Sequence, residues 1–374
     1  MNIELKILRN GFDYKICWVA PEVTASADDL LRVLSMTRLD LTGSDVFEGS
    51  FCSYSTDHGE SWTEPVKPEA FSRRKNTYGG TSCYEIFTKY HRASGQIVGF
   101  CTKVNYTPDN KVDHIHPRSI AFTVLDQDDM SWSSPREIIV PEEIRKDFAQ
   151  LAALNVELEN GDLLMPMAIC RFPDHISSVY TARLRVSGDK AEVVEYGSPL
   201  DQVRQPRGLY EPSLIKFKSR FFMALRNDIT GYVTVSDDGL NYADPVPLCF
   251  DNGELLGNYN TQQRWVRNAD DELYLIYTRR NADNDHVFRH RGPVMIARME
   301  PDALRILRDT ERILIPDRGA RMGNFMATEI NPRRSWFTVA EWMQNDERGY
   351  GRIGAEYCAR FGSDNSVFLA DITW

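Results

Sequence analysis

Apolar residues in this chain come in short β-rich runs, each entered through a polar turn and most of them closed by a charge. Six segments share that form: DDLLRVLSMTR (28–38), SGQIVGFCTK (94–103), NGDLLMPMAICR (160–171), KSRFFMALR (218–226), DDELYLIYTRR (270–280) and RRSWFTVAEW (333–342). They recur roughly every 50–65 residues, somewhat longer than the usual propeller blade. Further runs lie between them, such as RSIAFTVL (118–125) and PVMIARM (293–299). Helical spacing is nearly absent, and EEIRKDFAQLAAL (142–154) is the one stretch whose pattern suits a helix. Many short strands with turns between them and a long internal period predict an all-β, six-bladed β-propeller, one domain over 1–374. The terminal SVFLADITW (366–374) predicts a strand that closes the ring with the N-terminal segment.

The turns repeat as well. STDHGESW (55–62) combines a glycine able to take positive φ, a serine and an aspartate able to bond their own backbone, and a tryptophan to cover the turn. SDDGLNYADP (236–245) is a shortened second copy, and DQDDMSWSSP (126–135) a more decayed third. An aromatic-x-x-Pro follows each, as WTEP, YADP and WSSP. These turns are expected to staple hairpins, not to touch a ligand.

Charge and composition narrow the partners. A formal net charge of −10 with no basic run argues against nucleic acid. No stretch approaches the ~18 apolar residues of a membrane span. The N-terminus MNIELKILRNGFDYKICWVA lacks an apolar leader core, and the seven cysteines show neither CxxC nor metal spacing. The expectation is a cytoplasmic protein with reduced cysteines, no membrane, no metal and no cofactor.

Five of the six apolar runs end in a cation and one in a carboxylate: Arg38, Lys103, Arg171, Arg226, Arg279 with Arg280, and Glu341. Equivalent strand ends would gather on one face, giving a cationic pocket for a carboxylate- or hydroxyl-rich ligand. GNYNTQQRW (257–265) offers Tyr259, Asn260, Gln262 and Gln263, whose amides and aromatic face suit a sugar ring. NDHVFRHRGP (284–293) adds His290, suited to proton transfer or to sugar hydroxyls, and Arg291. DHIHP (113–117) holds His114 and His116, a metal pair only if a third ligand joins them.

The turn at 55–62, the six units and the arginine-bearing strands together resemble the sialidase superfamily of glycoside hydrolases. The most specific match is YEPSLIKFKSRFFMALRNDITGYVTVSDDGLNY (210–242), a Glu-x-Ser-Leu leading to an arginine and then to an Asp-box. The resemblance implies Glu211 as the glutamate that assists a nucleophile and Arg226 as a substrate-binding arginine. SMTRLDLTGSD (35–45) implies Arg38 as a ligand and Asp45 as acid/base; HRGPVMIA (290–297) implies Arg291, and Glu341 falls near the final glutamate. Two departures stand out. WVAP (18–21) replaces the family's early Arg-Ile-Pro, and MGNFMAT (322–328) carries Asn324 and Phe325 where the tyrosine nucleophile is expected.

The leading expectation is therefore a glycoside hydrolase acting on an oligosaccharide by carboxylate chemistry, with Glu211 and Asp45 sharing the work and Glu341 in reserve. Arg38, Arg226, Arg279 and Arg291 would bind the substrate. A lyase acting on a uronate, and a propeller that binds glycan or protein without turnover, are the alternatives. Sugar, linkage and oligomeric state stay open at this level.

Overall fold

The computed structural model describes every residue except Ser44, 145–147, 152–154, 172–174, Ala282 and Asp346, and gives backbone alone for 148–151 and Arg171. Its strands form six small sheets, arranged as the six blades of a β-propeller. Each of the six runs found in the sequence supplies the second strand of one blade: Arg32–Asp40, Gln96–Tyr106, Leu163–Arg171, Arg220–Arg226, Leu273–Thr278 and Arg334–Trp342. These strands are flanked on both edges and covered on both faces. Continuous apolar stretches in place of alternation are the result. Core clusters fill the gaps between neighbouring blades; one joins Phe222 and Trp265 of the fourth and fifth blades, another Ile276 and Phe337 of the fifth and sixth.

The ring closes through the termini. Asn2–Arg9 pairs antiparallel with Val367–Thr373, so the first strand of the chain is the outermost strand of the last blade. One helical expectation fails. Within 142–154, Phe148–Leu151 is a strand paired with Leu163–Arg171, because its backbone groups complete the third blade's inner edge; 145–147 and 152–154 lie outside the described residues. The α-helix among the described residues is Arg352–Ala359, in the last connection.

The Asp-box turns fasten blade to blade. Ser55 Oγ accepts the Gly59 N–H at 2.9 Å, and Asp57 accepts the Ser61 N–H at 3.0 Å. Gly59 lies on the Trp336 ring of the sixth blade and beside the buried Arg32 guanidinium, leaving no room for a Cβ. The second box repeats the pattern, with Asp238 accepting N–H groups of Leu240 and Asn241 at 2.8 and 2.7 Å. That box presses on the third blade, where a Cβ on Gly197 would sit 1.9 Å from the Leu240 carbonyl oxygen. Gly197→Ala should therefore destabilise the protein by about 1–3 kcal/mol, as overpacking against backbone does. Urea unfolding of the variant against the parent measures it, and an unchanged midpoint would refute the tight contact.

Candidate functional site

In five of the six blades the chain near the axis passes through a residue of positive φ, and in three of them this residue lies in a bulge of the inner strand. Ala20, Glu85 and Glu211 each sit at a register shift, with φ of 49, 51 and 44°. Asn260 and Asn324, with φ of 52 and 53°, hold the corresponding places in the fifth and sixth blades, each two residues before an inward-facing Gln262 or Met326. Left-handed backbone is costly for any residue but glycine. Here it turns a polar side chain toward the axis in four of these five positions.

Above this ring opens a cavity of about 580 Å³. Six arginines line it (118, 207, 226, 289, 291 and 321) against the four carboxyl groups of Asp45, Glu85, Glu211 and Asp228, with His114, His175 and Tyr210 on the walls. Glu211 is fully engaged: Arg226 Nη1 reaches both of its oxygens at 2.6 Å. Arg226 also donates to the Asn260 side chain and lies over the Tyr210 ring at 4.6 Å. Burial alone would depress the Arg226 guanidinium; the Glu211 carboxylate, together with Tyr210 and Asp228, outweighs it and raises the pKa. Arg291 donates through Nε and Nη2 to the Asn260 backbone carbonyl. Burial, then the like charges of Arg226, Arg321 and Arg289, hold Arg291 well below the usual arginine range. Such a concentration of cations favours an anionic ligand.

Glu85 occupies the same repeat position as Glu211, but among the described residues no arginine bonds it. The Asn324 amide donates to its Oε1, and its N–H donates to Thr37 Oγ1 at 3.1 Å. Burial, reinforced by the charges of Glu211 and Asp45, raises its pKa from 4.5 to about 8. Beneath the floor lies Glu22, which accepts the Thr88 N–H at 2.9 Å and is likewise raised by burial to about 8. The buried Arg264 stands nearest in charge, depressed by burial to about 10 and donating to Gln262 and to the Gln263 carbonyl.

The sequence-derived candidates divide. Asp45, Glu211, Arg226, Asn260 and Arg291 all line the cavity. Tyr259 and His290 hydrogen-bond to each other beside pocket-lining neighbours. Gln262 lies at the axis below the floor, and Gln263 is buried, donating to the Thr261 carbonyl at 3.1 Å. The expectation of six strand ends in one pocket is corrected. Arg38 faces a separate groove with Trp18 and Asn365 and pairs with Glu48; Arg279 is held by Glu311 at 2.8 and 2.7 Å. Glu341 is fixed by two bonds from Arg318 and by the N–H groups of Asp364 and Ser366. Lys103 does not line the cavity, and the Arg171 side chain lies outside the described residues. The reason is radial: second strands end outside the ring that inner strands form, and among the described strand ends only Arg226, opposite Tyr210 in register, reaches inward. His114 lines the cavity while His116 stacks on Tyr78 and bonds Asp113, so the H-x-H pair does not converge.

Glu85, Arg321, Arg118, Arg207, His175 and Asp228 were missed. For Glu85 a signal exists: the Tyr-Glu of CYEIF (83–87) repeats that of LYEPS (209–213).

With this geometry in hand, solved structures supply the match. The chain superposes over 99% of its length on Trypanosoma rangeli sialidase in complex with the inhibitor DANA (TM-score 0.64, 12% identity). It superposes over 99% on the NanB sialidase from Streptococcus pneumoniae (TM-score 0.67, 10% identity). The fold is that of the sialidases. The chain spans 59% of the Trypanosoma protein and 70% of NanB. No family model and no curated protein matches the sequence. Within the sialidase fold, the inner strand of the sixth blade carries Asn324 and Phe325, and neither has a hydroxyl.

Glu22 and Glu85 both bind their proton more tightly in the folded chain than in the unfolded one. Their stabilisation is complete below the unfolded value near 4.5 and is lost as pH rises through about 8. Urea midpoints should fall across that window, and Glu85→Gln should flatten the decline. An equally steep decline in the variant would show Glu85 to be ionised in the fold.

Proposed function

We propose that the protein is a glycoside hydrolase that cleaves a carboxylate-bearing sugar from an oligosaccharide, with Glu85 as the general acid. The observation that carries this reading is a carboxyl group buried on the floor of an arginine-lined cavity and held protonated at neutral pH by burial and by two neighbouring carboxylates. A neutral acid placed in this way can protonate a leaving glycosidic oxygen, one of the two tasks glycoside cleavage requires. Asp45 keeps that proton in place through its charge and faces the same space. Glu211 then serves to orient Arg226, which with Arg291 and Arg321 takes the carboxylate of the sugar, as fork-shaped donors do. The Trypanosoma protein, solved with sialic acid bound, is a structural neighbour whose ligand fits this description of the substrate.

The test is a panel of acidic and neutral oligosaccharides with products followed by mass and by ultraviolet absorbance. Cleavage with addition of water, restricted to acidic sugars and reduced about a hundred- to ten-thousandfold in Glu85→Gln, is expected. Wild-type activity should fall as pH rises past about 8, where Glu85 loses its proton. An ultraviolet-absorbing product without added water would mean a lyase instead, and binding without turnover a non-catalytic propeller.

A further inference from the structure

Charge in the cavity does not balance. Its six arginines face four carboxyl groups, and one of those, Glu85, keeps its proton at neutral pH. The other three carboxylates leave a surplus of three positive charges, in a chain whose formal net charge is −10. A single carboxylate on a substrate would cancel one of them and leave two. Like charges gathered in a space with little water repel, and a ligand that brings the missing negative charge relieves them.

The surplus has a place. Arg226, Arg289, Arg291 and Arg321 all line the cavity and are spaced by neutral groups. Asn260 separates one pair: its side chain accepts from Arg226 and its backbone carbonyl from Arg291. The Phe288 ring separates another, with the guanidinium carbons of Arg289 and Arg321 at 4.9 and 5.2 Å from its centroid. Gly323 packs on Arg291, where a Cβ would sit 3.0 Å from Nη1. Gln344 Oε1 accepts from Arg321 Nη2 at 3.0 Å. Glu211 reaches this group, and Arg226 takes both of its oxygens. Arg291 donates to a backbone carbonyl and Arg289 lies on a phenyl face, so neither contact supplies negative charge. Arg289 is also held in left-handed backbone, with φ of 55°, a strain that suits a side chain whose direction matters.

A carboxylate offers about four acceptor positions, which two guanidinium forks already fill. A sugar carboxylate held by Arg226, Arg291 and Arg321 therefore has nothing left for Arg289. We propose that the ligand carries a second anionic group, taken by Arg289, and that the substrate class is a dianionic acidic saccharide. This rests on the acidic-sugar reading above and names its substrate more closely. The second group is a sulfate ester on the same sugar or the carboxylate of an adjacent uronate, since both present the oxygens that a guanidinium fork grips. Arg289 is thus a specificity-determining residue: it strengthens binding of a two-charge sugar and adds nothing to a one-charge sugar.

The experiment is calorimetric titration of the full chain with two pairs of sugars, each pair differing by one charge. One pair is glucuronate and its 2-sulfate; the other is the monomethyl ester of digalacturonate and digalacturonate itself. The two-charge member should bind about ten- to a hundredfold more tightly in at least one pair, as an added charge-assisted bond gives. Arg289→Asn should bring that ratio close to one. Asparagine tolerates the left-handed backbone, so an unchanged melting temperature is expected, and Arg289→Gln serves the same comparison should the first variant not fold. A preference confined to the sulfate pair places the second anion on the same sugar, and one confined to the digalacturonate pair places it on the next. Equal affinities within both pairs, or a preference that survives in Arg289→Asn, overturns the proposal and leaves the hydrolase reading standing. Tight, Arg289-dependent binding without cleavage of a two-charge sugar overturns the hydrolase reading alone. Failure of every sugar to bind overturns both.

Discussion

The site depends on one backbone constraint: an inner strand that reaches the propeller axis bends through a residue of positive φ. Glycine would meet that demand with the least strain, yet the positions hold Ala20, Glu85, Glu211, Asn260 and Asn324. Each non-glycine residue in the left-handed region costs on the order of 1–3 kcal/mol. A cost borne five times is sustained by the paired strands on either side of the bend, and it puts side chains where glycine would leave none. The bulge also inserts an extra residue, so the side chains beyond it change face. Glu22 thereby comes to fill the space under the floor, beside Gln262 and Met326.

Glu85 and Glu211 show how environment alone separates two identical residues at equivalent places. The second strand of the fourth blade sets Arg226 opposite Tyr210, and its guanidinium grips the carboxylate next along the chain. In the second blade, Thr102 stands opposite the equivalent Tyr84, so no cation reaches Glu85 from its partner strand. What reaches it is the Asn324 amide from the sixth blade, and beyond that the field of Arg264. A neutral donor cannot compensate the desolvation of a charge, and the proton stays. The register of one strand pair thus decides which glutamate is an ion-pair partner and which is left to burial.

Much of the fold was legible because its signal is a period. The second strands are the most buried elements, and their apolar runs and entry turns recur whatever the loops do. The Asp-box glycines and aspartates are readable for the same local reason: their bonds lie within a few residues. The site was legible only where a motif spanned it, as in 210–242. Arg38, Arg279 and Glu341 misled because a charge at a strand end says where the strand stops, not how far it lies from the axis. Glu85 escaped because its neutral state comes from Glu211, Asp45 and Asn324, on other blades and far away in sequence. Tyr259 and His290 were individually conspicuous, but their hydrogen bond depends on a loop folding back on the fifth blade.

The presence of Asn324 and Phe325 near the axis constrains the proposed chemistry. A covalent route through the inner strand of the sixth blade needs a nucleophile there, and an amide beside a phenylalanine supplies none. With Asn324 instead bonded to Glu85, that blade contributes to holding an acid in place. Glycoside cleavage without a covalent intermediate needs a base on the far side of the sugar, with room for water between base and acid. On the proposed reading, the sixth blade offers Glu85 a hydrogen-bond donor and no attacking group, so the attack falls to water.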